Sequence, residues 1–266
     1  TTSARHLGAS SGSITLEHQD GITYWANHQY QGQYTDTSTA GPRNEDTYQA
    51  LFGWPAYNYE SVISVDASNR MYVADGDDRL YFQTSSQANT SSFNNLNLPQ
   101  TNSNGRHHIE AQDNGTVHHL WWYNNNLRYT QSHVSANGQS RTYDSTETIG
   151  TFNDLNLKSF DLEVDSNGIA HIAYYRNSAS SYAVTYMNNS VGSFSSISFE
   201  DFSPNQVGEL DLDLDASDRV HLAWNDGSNG TVYHTLIDGS SSVTRQVTSH
   251  STNPSFISQA IDPKTN

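Results

Sequence analysis

Four stretches of this chain repeat one pattern: SVISVDASNRMYVAD, HHIEAQDNGTVHHLWW, FDLEVDSNGIAHIAYY and LDLDLDASDRVHLAW. Each alternates apolar and polar residues, turns through Asp, Ser, Asn or Gly, and alternates again, which is the pattern of a β-hairpin with one face buried. Anchored on the turn residues Asp66, Gln112, Asp165 and Asp215, with Asp262 supplied by the final ISQAIDPKTN, the steps are 46, 53, 50 and 47 residues. A single unit of that size cannot bury its own apolar face. Stacked units can, and this period is that of propeller blades.

Each hairpin is followed by a third strand (RLYFQ, NLRYTQ, AVTYMN, TVYHTL), and the last three also by a more weakly patterned fourth (SRTYDST, SSISFED, SVTRQVT). The final repeat stops after its first strand. The chain begins with ARHLGAS, SITLEHQDG and ITYWANH, which match second, third and fourth strands. Five first strands fall near 62, 108, 161, 211 and 258, and five second strands near 5, 71, 118, 171 and 221. The expectation is an all-β, five-bladed β-propeller with four antiparallel strands per blade, formed as one domain over residues 1–266. The N- and C-terminal segments would share a blade, which removes the open edges of a linear stack. The one large departure from the period is residues 29–61, an insertion between blades one and two and the candidate functional loop.

Composition narrows the partners. With 28 acidic and 12 basic residues the formal charge is −16, which repels phosphate backbones, anionic lipid and polyanionic glycans. Nucleic acid is excluded as a natural partner, and no apolar run is long enough to enter a membrane. The absence of cysteine removes disulfides, thiolate metal sites and a cysteine nucleophile. A surface rich in Ser, Thr, Asn, Tyr and Asp points to an extracellular or cell-surface protein. Acceptor sequons stand at Asn89, Asn114, Asn188 and Asn229.

Chemistry-bearing residues recur at fixed places in the repeat. A histidine lies six residues after the turn position at His118, His171 and His221, with Tyr72 in blade two. Its simplest role is to bond the turn Asp and tie two strands together. On the innermost strands, positions two and four before the turn share a face. They are Glu110 with His108, Glu163 with Asp161, and Asp213 with Asp211. Carboxylates crowded on one wall must be hydrogen-bonded, metal-bound or protonated. Three outcomes compete: bonding within the channel, a Ca²⁺ site at Asp161 and Asp211, or an acid/base set of Glu110, Glu163 and Asp213 with His108 acting on a glycan.

The insertion concentrates Tyr30, Tyr34, Tyr48, Trp54, Tyr57 and Tyr59 around Arg43. Rings with polar tips suit the apolar faces and hydroxyls of sugars, and they equally suit packing over the end of the blades. Trp121 presents the same choice, whereas Trp25 and Trp224 read as core. Gly8-Ala9-Ser10-Ser11-Gly12 fits a nucleophile-elbow spacing but lies in a hairpin rather than a strand-to-helix turn. Asp75-Gly76-Asp77-Asp78 reads as hairpin chemistry rather than a metal loop.

At DSNGIAHIAYY and DASDRVHLAW the chain resembles the repeats of secreted bacterial propellers of the broad sialidase-like, neuraminidase-repeat group. The Trp of that group's Ser-x-Asp-x-Gly-x-x-Trp box is missing here, and the ten arginines show no sugar-carboxylate triad. As a class, five-bladed propellers include arabinanase-like and levansucrase-like hydrolases and tachylectin-like lectins, so the resemblance implies carbohydrate as the ligand class. The leading expectation is a lectin-like or adhesive module binding a glycan or cell-surface polysaccharide without catalysis. A glycoside hydrolase or polysaccharide lyase, and a self-associating surface or filament protein, are the alternatives.

Overall fold

In the computed structural model the described residues are 5–9, 12–19, 22–27, 34–38, 46–48, 62–68, 70–75, 79–84, 94–99, 107–135, 139–152, 159–178, 181–202, 209–226, 230–249, 259 and 261. All regular structure among them is β. The chain divides into two compact units, Thr1–Ile149 and Gly150–Asn266.

The first unit holds three sheets. One runs in the order β1 (Arg5–Ala9), β2 (Gly12–Gln19), β3 (Ile22–Asn27), β4 (Tyr34–Ser38) and β5 (Asp46–Tyr48). The second is β6 (Val62–Val65), β7 (Met71–Asp75), β8 (Arg79–Phe82) and β9 (Asn94–Asn97). The third is β10 (His107–Ala111), β11 (Val117–Tyr123), β12 (Asn126–Val134) and β13 (Arg141–Tyr143), with β14 (Glu147–Thr151) also pairing β12. The second unit repeats the plan twice. Its sheets are β15 (Phe160–Val164), β16 (Ala170–Ser178), β17 (Ser181–Asn188) and β18 (Ser195–Phe202), then β19 (Leu210–Leu214), β20 (Val220–Asp226), β21 (Thr231–Asp238) and β22 (Ser241–Ser249). Every described strand pair is antiparallel. The repeat, its hairpins and its period are thus present as sheets, each open at both edges.

The repeated turn has one construction. The turn residue receives the N–H three residues on and donates its own N–H to the carbonyl four residues on. At Asp165 these bonds are Gly168 N to Asp165 O, 3.0 Å, and Asp165 N to Ile169 O, 3.0 Å. The residue at the third position lies in the left-handed region: φ is +82° at Gly115, +82° at Gly168 and +58° at Asp218. Such a turn followed by a left-handed residue is a standard three-residue hairpin loop, and it selects Gly, Asn or Asp there. The turn carboxylate then locks the loop. Asp66 Oδ1 accepts from the amides of Ser68 and Arg70, Asp165 Oδ1 from Asn167 and Ile169, and Asp215 Oδ1 from Ser217 and Arg219, all at 2.8 to 3.0 Å.

Cores form where sheets face one another. Val62, Tyr72, Ala74, Leu80 and Phe82 pack on Ile109, Ala111 and Val117. Ala173, Tyr175, Val184 and Tyr186 pack on Leu210, Leu212, Leu222 and Trp224. Trp224 is fully buried, stacks on Tyr233 at 4.3 Å and donates its indole N–H to Thr235 Oγ1 at 3.0 Å. The indole therefore has a partner for its one polar atom, the condition for burying a tryptophan without a desolvation cost.

One feature of the chain departs from expectation, and one expected fourth strand comes from sequence without a signal for it. The insertion contributes strands: β4 pairs β3 (Ile22↔Ser38, Thr23↔Thr37) and β5 pairs β4, so the first sheet has five strands. The second sheet gains β9 from NNLN, a segment whose asparagines carry no strand signal. Gly8 and Ala9 of β1 lie opposite Ser13 and Gly12 of β2 in an antiparallel pair, as expected for a hairpin.

Candidate functional site

The strands β10 and β19 and the residues Gln259 and Ile261 present amides without a ladder partner on one side. Side chains at or beside the first strand of the preceding sheet take those amides. In the second unit Ser159 Oγ accepts from Leu210 N at 2.8 Å and Asp161 Oδ2 from Leu212 N at 2.9 Å. Asp211 Oδ2 accepts from Gln259 N at 2.7 Å and Asp213 Oδ2 from Ile261 N at 3.1 Å. In the first unit Ser64 Oγ accepts from Ala111 N at 2.8 Å. The same carboxylates hold their own strands, because Asp161 Oδ1 accepts from Leu162 N and Asp213 Oδ1 from Leu214 N, both at 2.9 Å. A free strand edge is a cost that must be covered, and these acidic positions cover it.

Asp161, Asp211 and Asp213, singled out as metal or acid/base candidates, therefore sit half-buried with amide donors on their oxygens. Gln259 adds two more bonds, from Nε2 to the carbonyls of Asp211 (2.9 Å) and His221 (2.6 Å). Glu110 and Glu163 are buried, 6% and 9% exposed, and lie opposite His118 and His171 in register. His108 is half-buried on β10, opposite Leu120. Among the described residues no three His, Asp or Glu side chains converge as a metal site.

The recurrent histidines His118 and His171 each end a hydrogen-bonded chain across two strands. In β11 and β12, Gln131 Nε2 donates to Tyr129 Oη at 2.9 Å, and Tyr129 meets His118 Nδ1 at 2.6 Å. In β16 and β17, Asn188 Nδ2 donates to Tyr186 Oη at 3.0 Å, and Tyr186 meets His171 Nδ1 at 2.6 Å. The amide donor leaves each tyrosine hydroxyl to donate onward, so Nδ1 is the acceptor and the ring proton sits on Nε2. That Nε2 of His171 points at Asp165 Oδ2, 3.6 Å away. His221 Nε2 lies 3.3 Å from Asp215 Oδ2, and Tyr72 Oη donates to Asp66 Oδ2 at 2.8 Å. His118 has Gln112 at the turn position instead of an acid, and its Nε2 has no protein partner.

Electrostatics follow from burial. Desolvation pushes His107 down to about 4 and His118 down to about 3, and carries His119 well below the ordinary histidine value, with Arg141 adding to the effect. These rings are neutral at pH 7. Burial works against ionisation of Asp215, but hydrogen bonds from the Arg219 side chain and amide, from Ser217 N and from His221 outweigh it and hold the carboxyl well below the usual range.

Of the aromatic candidates, Tyr34 and Tyr48 are opposite one another across β4 and β5. Tyr30, Arg43, Trp54, Tyr57 and Tyr59 lie outside the described residues. Trp121 is 1% exposed on β11, inside the sheet packing.

No protein-family model matches the sequence, and no curated protein matches it. Solved structures do. A polysaccharide lyase described as a PL25 ulvan lyase bound to -[GlcA(1-4)Rha3S]- aligns with a TM-score of 0.57 at 12% identity, over 88% of this chain and 70% of that one. The SapL1 lectin in complex with alpha methyl fucoside aligns at 0.57 and 9% identity, over 95% and 82%. A Lactobacillus plantarum protein aligns at 0.53 and 13% identity, over 94% and 82%. At these identities the likeness concerns fold: successive four-stranded antiparallel sheets of the β-propeller type.

Proposed function

We propose that this chain is an extracellular, lectin-like β-propeller of five blades that binds a neutral glycan and performs no chemistry on it. In this reading the segment around Gln259 and Ile261 is the innermost strand of the blade begun by β1 to β3, closing the ring. The observation that carries the proposal is the use of Asp161, Asp211 and Asp213 as amide acceptors for the next strand. Carboxylates so engaged serve the scaffold, which leaves the aromatic insertion, residues 29–61, as the ligand surface. A lectin with a fucoside and a lyase with a uronate-containing glycan among proteins of similar fold support carbohydrate as the ligand class. The charge of −16 favours a neutral sugar over a polyanion. Ca²⁺ at Asp161 and Asp211 would compete with the amides already there, so binding should survive a chelator. Glycan-array screening followed by calorimetry on wild type, Trp54→Ala and Tyr57→Ala tests the reading. Each variant should bind at least ten-fold more weakly with an unchanged melting temperature, and wild-type protein that binds no glycan would refute it.

A glycan-cleaving reading draws on Glu110 and Glu163, buried carboxylates each facing a histidine across the ladder. It requires new reducing ends or unsaturated products from a polysaccharide panel, lost in Glu163→Gln.

A further inference from the structure

On one face of the β10–β14 sheet four polar atoms of neutral side chains are buried without a protein partner: His107 Nε2, His119 Nδ1, Trp121 Nε1 and Tyr143 Oη; the Arg128 side chain, which has partners elsewhere, shares that face opposite Trp121. The register gathers them. His107 lies opposite Trp121, and His119 is two residues from Trp121 on the same face of β11. Tyr143 presents its ring edge-on to His119, with centroids 5.2 Å apart. His107, His119 and Trp121 are 2%, 1% and 1% exposed. Buried polar groups are nearly always bonded, and four orphans on one face call for an occupant.

The chemistry of that occupant can be derived. Trp121 Nε1 only donates. Arg141 donates to Ser132 Oγ from Nε at 3.3 Å and from Nη2 at 3.2 Å, so the serine's own hydrogen goes to His119 Nε2, 3.1 Å away. The neutral His119 ring then carries its proton on Nδ1, the unpartnered atom. Tyr143 Oη has a hydrogen to give. The occupant must therefore be an acceptor.

Charge supplies the second constraint. Arg141 is 4% exposed, and its Nη2 donates to the carbonyls of Gly115 and Ser132, both at 2.7 Å. Its guanidinium also lies 5.0 Å from the Tyr72 ring centroid and 5.7 Å from that of Phe82. None of these groups is a carboxylate. The guanidinium also bonds the Tyr72 hydroxyl, which donates to Asp66 Oδ2 at 2.8 Å, but that carboxylate is paired with Arg70. Arg141 is thus left without a carboxylate of its own, and an anion beside it offsets the desolvation cost.

We propose that this face holds one small singly charged anion, of halide or formate size, bound by Trp121 Nε1, His119 Nδ1, His107 Nε2 and Tyr143 Oη, with Arg141 supplying the charge. The site is independent of glycan binding and stands or falls apart from it.

The test uses the full chain dialysed into sodium sulfate at fixed ionic strength. Its five tryptophans give five indole N–H resonances, and the Trp121 signal is identified by its loss in Trp121→Phe. Titration with sodium bromide or sodium formate should move that signal saturably and leave the other four in place. His119→Phe should weaken the apparent affinity at least ten-fold, with the other indole signals reporting an intact fold. If that variant does not fold, bromide-soaked wild-type crystals decide, an anomalous peak between Trp121 and His119 being expected. A Trp121 signal that stays fixed at saturating bromide and formate, or drifts linearly together with the other four, overturns the proposal and leaves the face to ordered water.

Discussion

Replacing Asp161 by alanine removes two acceptors at once: Oδ2, which takes Leu212 N, and Oδ1, which takes Leu162 N, each at 2.9 Å. Hydrogen bonds to a charged group contribute about 1.5–3 kcal/mol each when their loss strands a buried donor. Leu212 is 2% exposed, so its amide lies where water enters poorly, whereas Asp161 itself is half-exposed and water can reach Leu162 N. The lower end of the range applies, about 1.5–2 kcal/mol per bond, giving about 3–4 kcal/mol for the pair. At roughly 2–4 °C per kcal/mol for a chain of this size, the melting temperature should fall by about 5–15 °C. Asp161→Asn keeps one carbonyl oxygen for Leu212 and should cost only about 1 kcal/mol. Scanning calorimetry of the three proteins, with and without EDTA, is the assay. An alanine variant that melts within a degree of wild type refutes the edge-covering role, and so does a chelator that reproduces the alanine loss in wild-type protein.

Three further outcomes follow from the same structure. Gly115 has φ +82°, and a Cβ there would collide with the Arg70 guanidinium, which is pinned to Asp66 at 2.5 Å; Gly115→Ala should cost about 2–4 kcal/mol in urea denaturation, more than left-handed strain alone. His107 and His118 are held near 4 and near 3 by burial, so the unfolded chain, with histidines near pH 6.5, binds more protons between those values. Stability should be full above about pH 6.5 and fall as pH drops towards 4, by roughly 1.4 kcal/mol per pH unit for each histidine; equal urea midpoints at pH 7.5 and 5.5 contradict this. Deleting residues 256–266 removes the Gln259 amide from Asp211 and the Ile261 amide from Asp213 and should lower the melting temperature by at least 10 °C, whereas an unchanged melt would mean that the bonds at Gln259 and Ile261 contribute little.

The sheets were legible because their signal is repeated. Alternation on either side of Asp165 or Asp215 names two strands and the turn between them, and its recurrence at Asp66 and Gln112 removes ambiguity. The turn rule was equally readable, since Gly115, Gly168 and Asp218 are residues that accept a positive φ. The strands β4, β5 and β9 were not, because YTDTS, DTY and NNLN owe their place to a neighbouring edge rather than to their own pattern. The acidic inner positions were visible as a set, while their use was hidden. What Asp161 and Asp211 accept comes from the backbone of a strand about fifty residues later, and an amide leaves no trace in residue identity. One hint was available: Ser64, two residues before its turn, occupies the position of Asp213, and a serine substitutes for an aspartate as an amide acceptor but not as a general acid. The unpartnered face around Trp121 was also beyond the sequence, which shows two tryptophans and four histidines but not which of their nitrogens lack partners.

Binding without turnover is decided by one paired measurement. Wild-type protein and a Glu110→Gln, Glu163→Gln double variant are each incubated with the glycan that wild type binds most tightly. Affinity is read by calorimetry, and reducing ends and unsaturated products are read after prolonged incubation. The expected result is equal affinity in both proteins and no product from either. Product formed by wild type and absent from the variant would make this chain an enzyme and the lectin reading wrong.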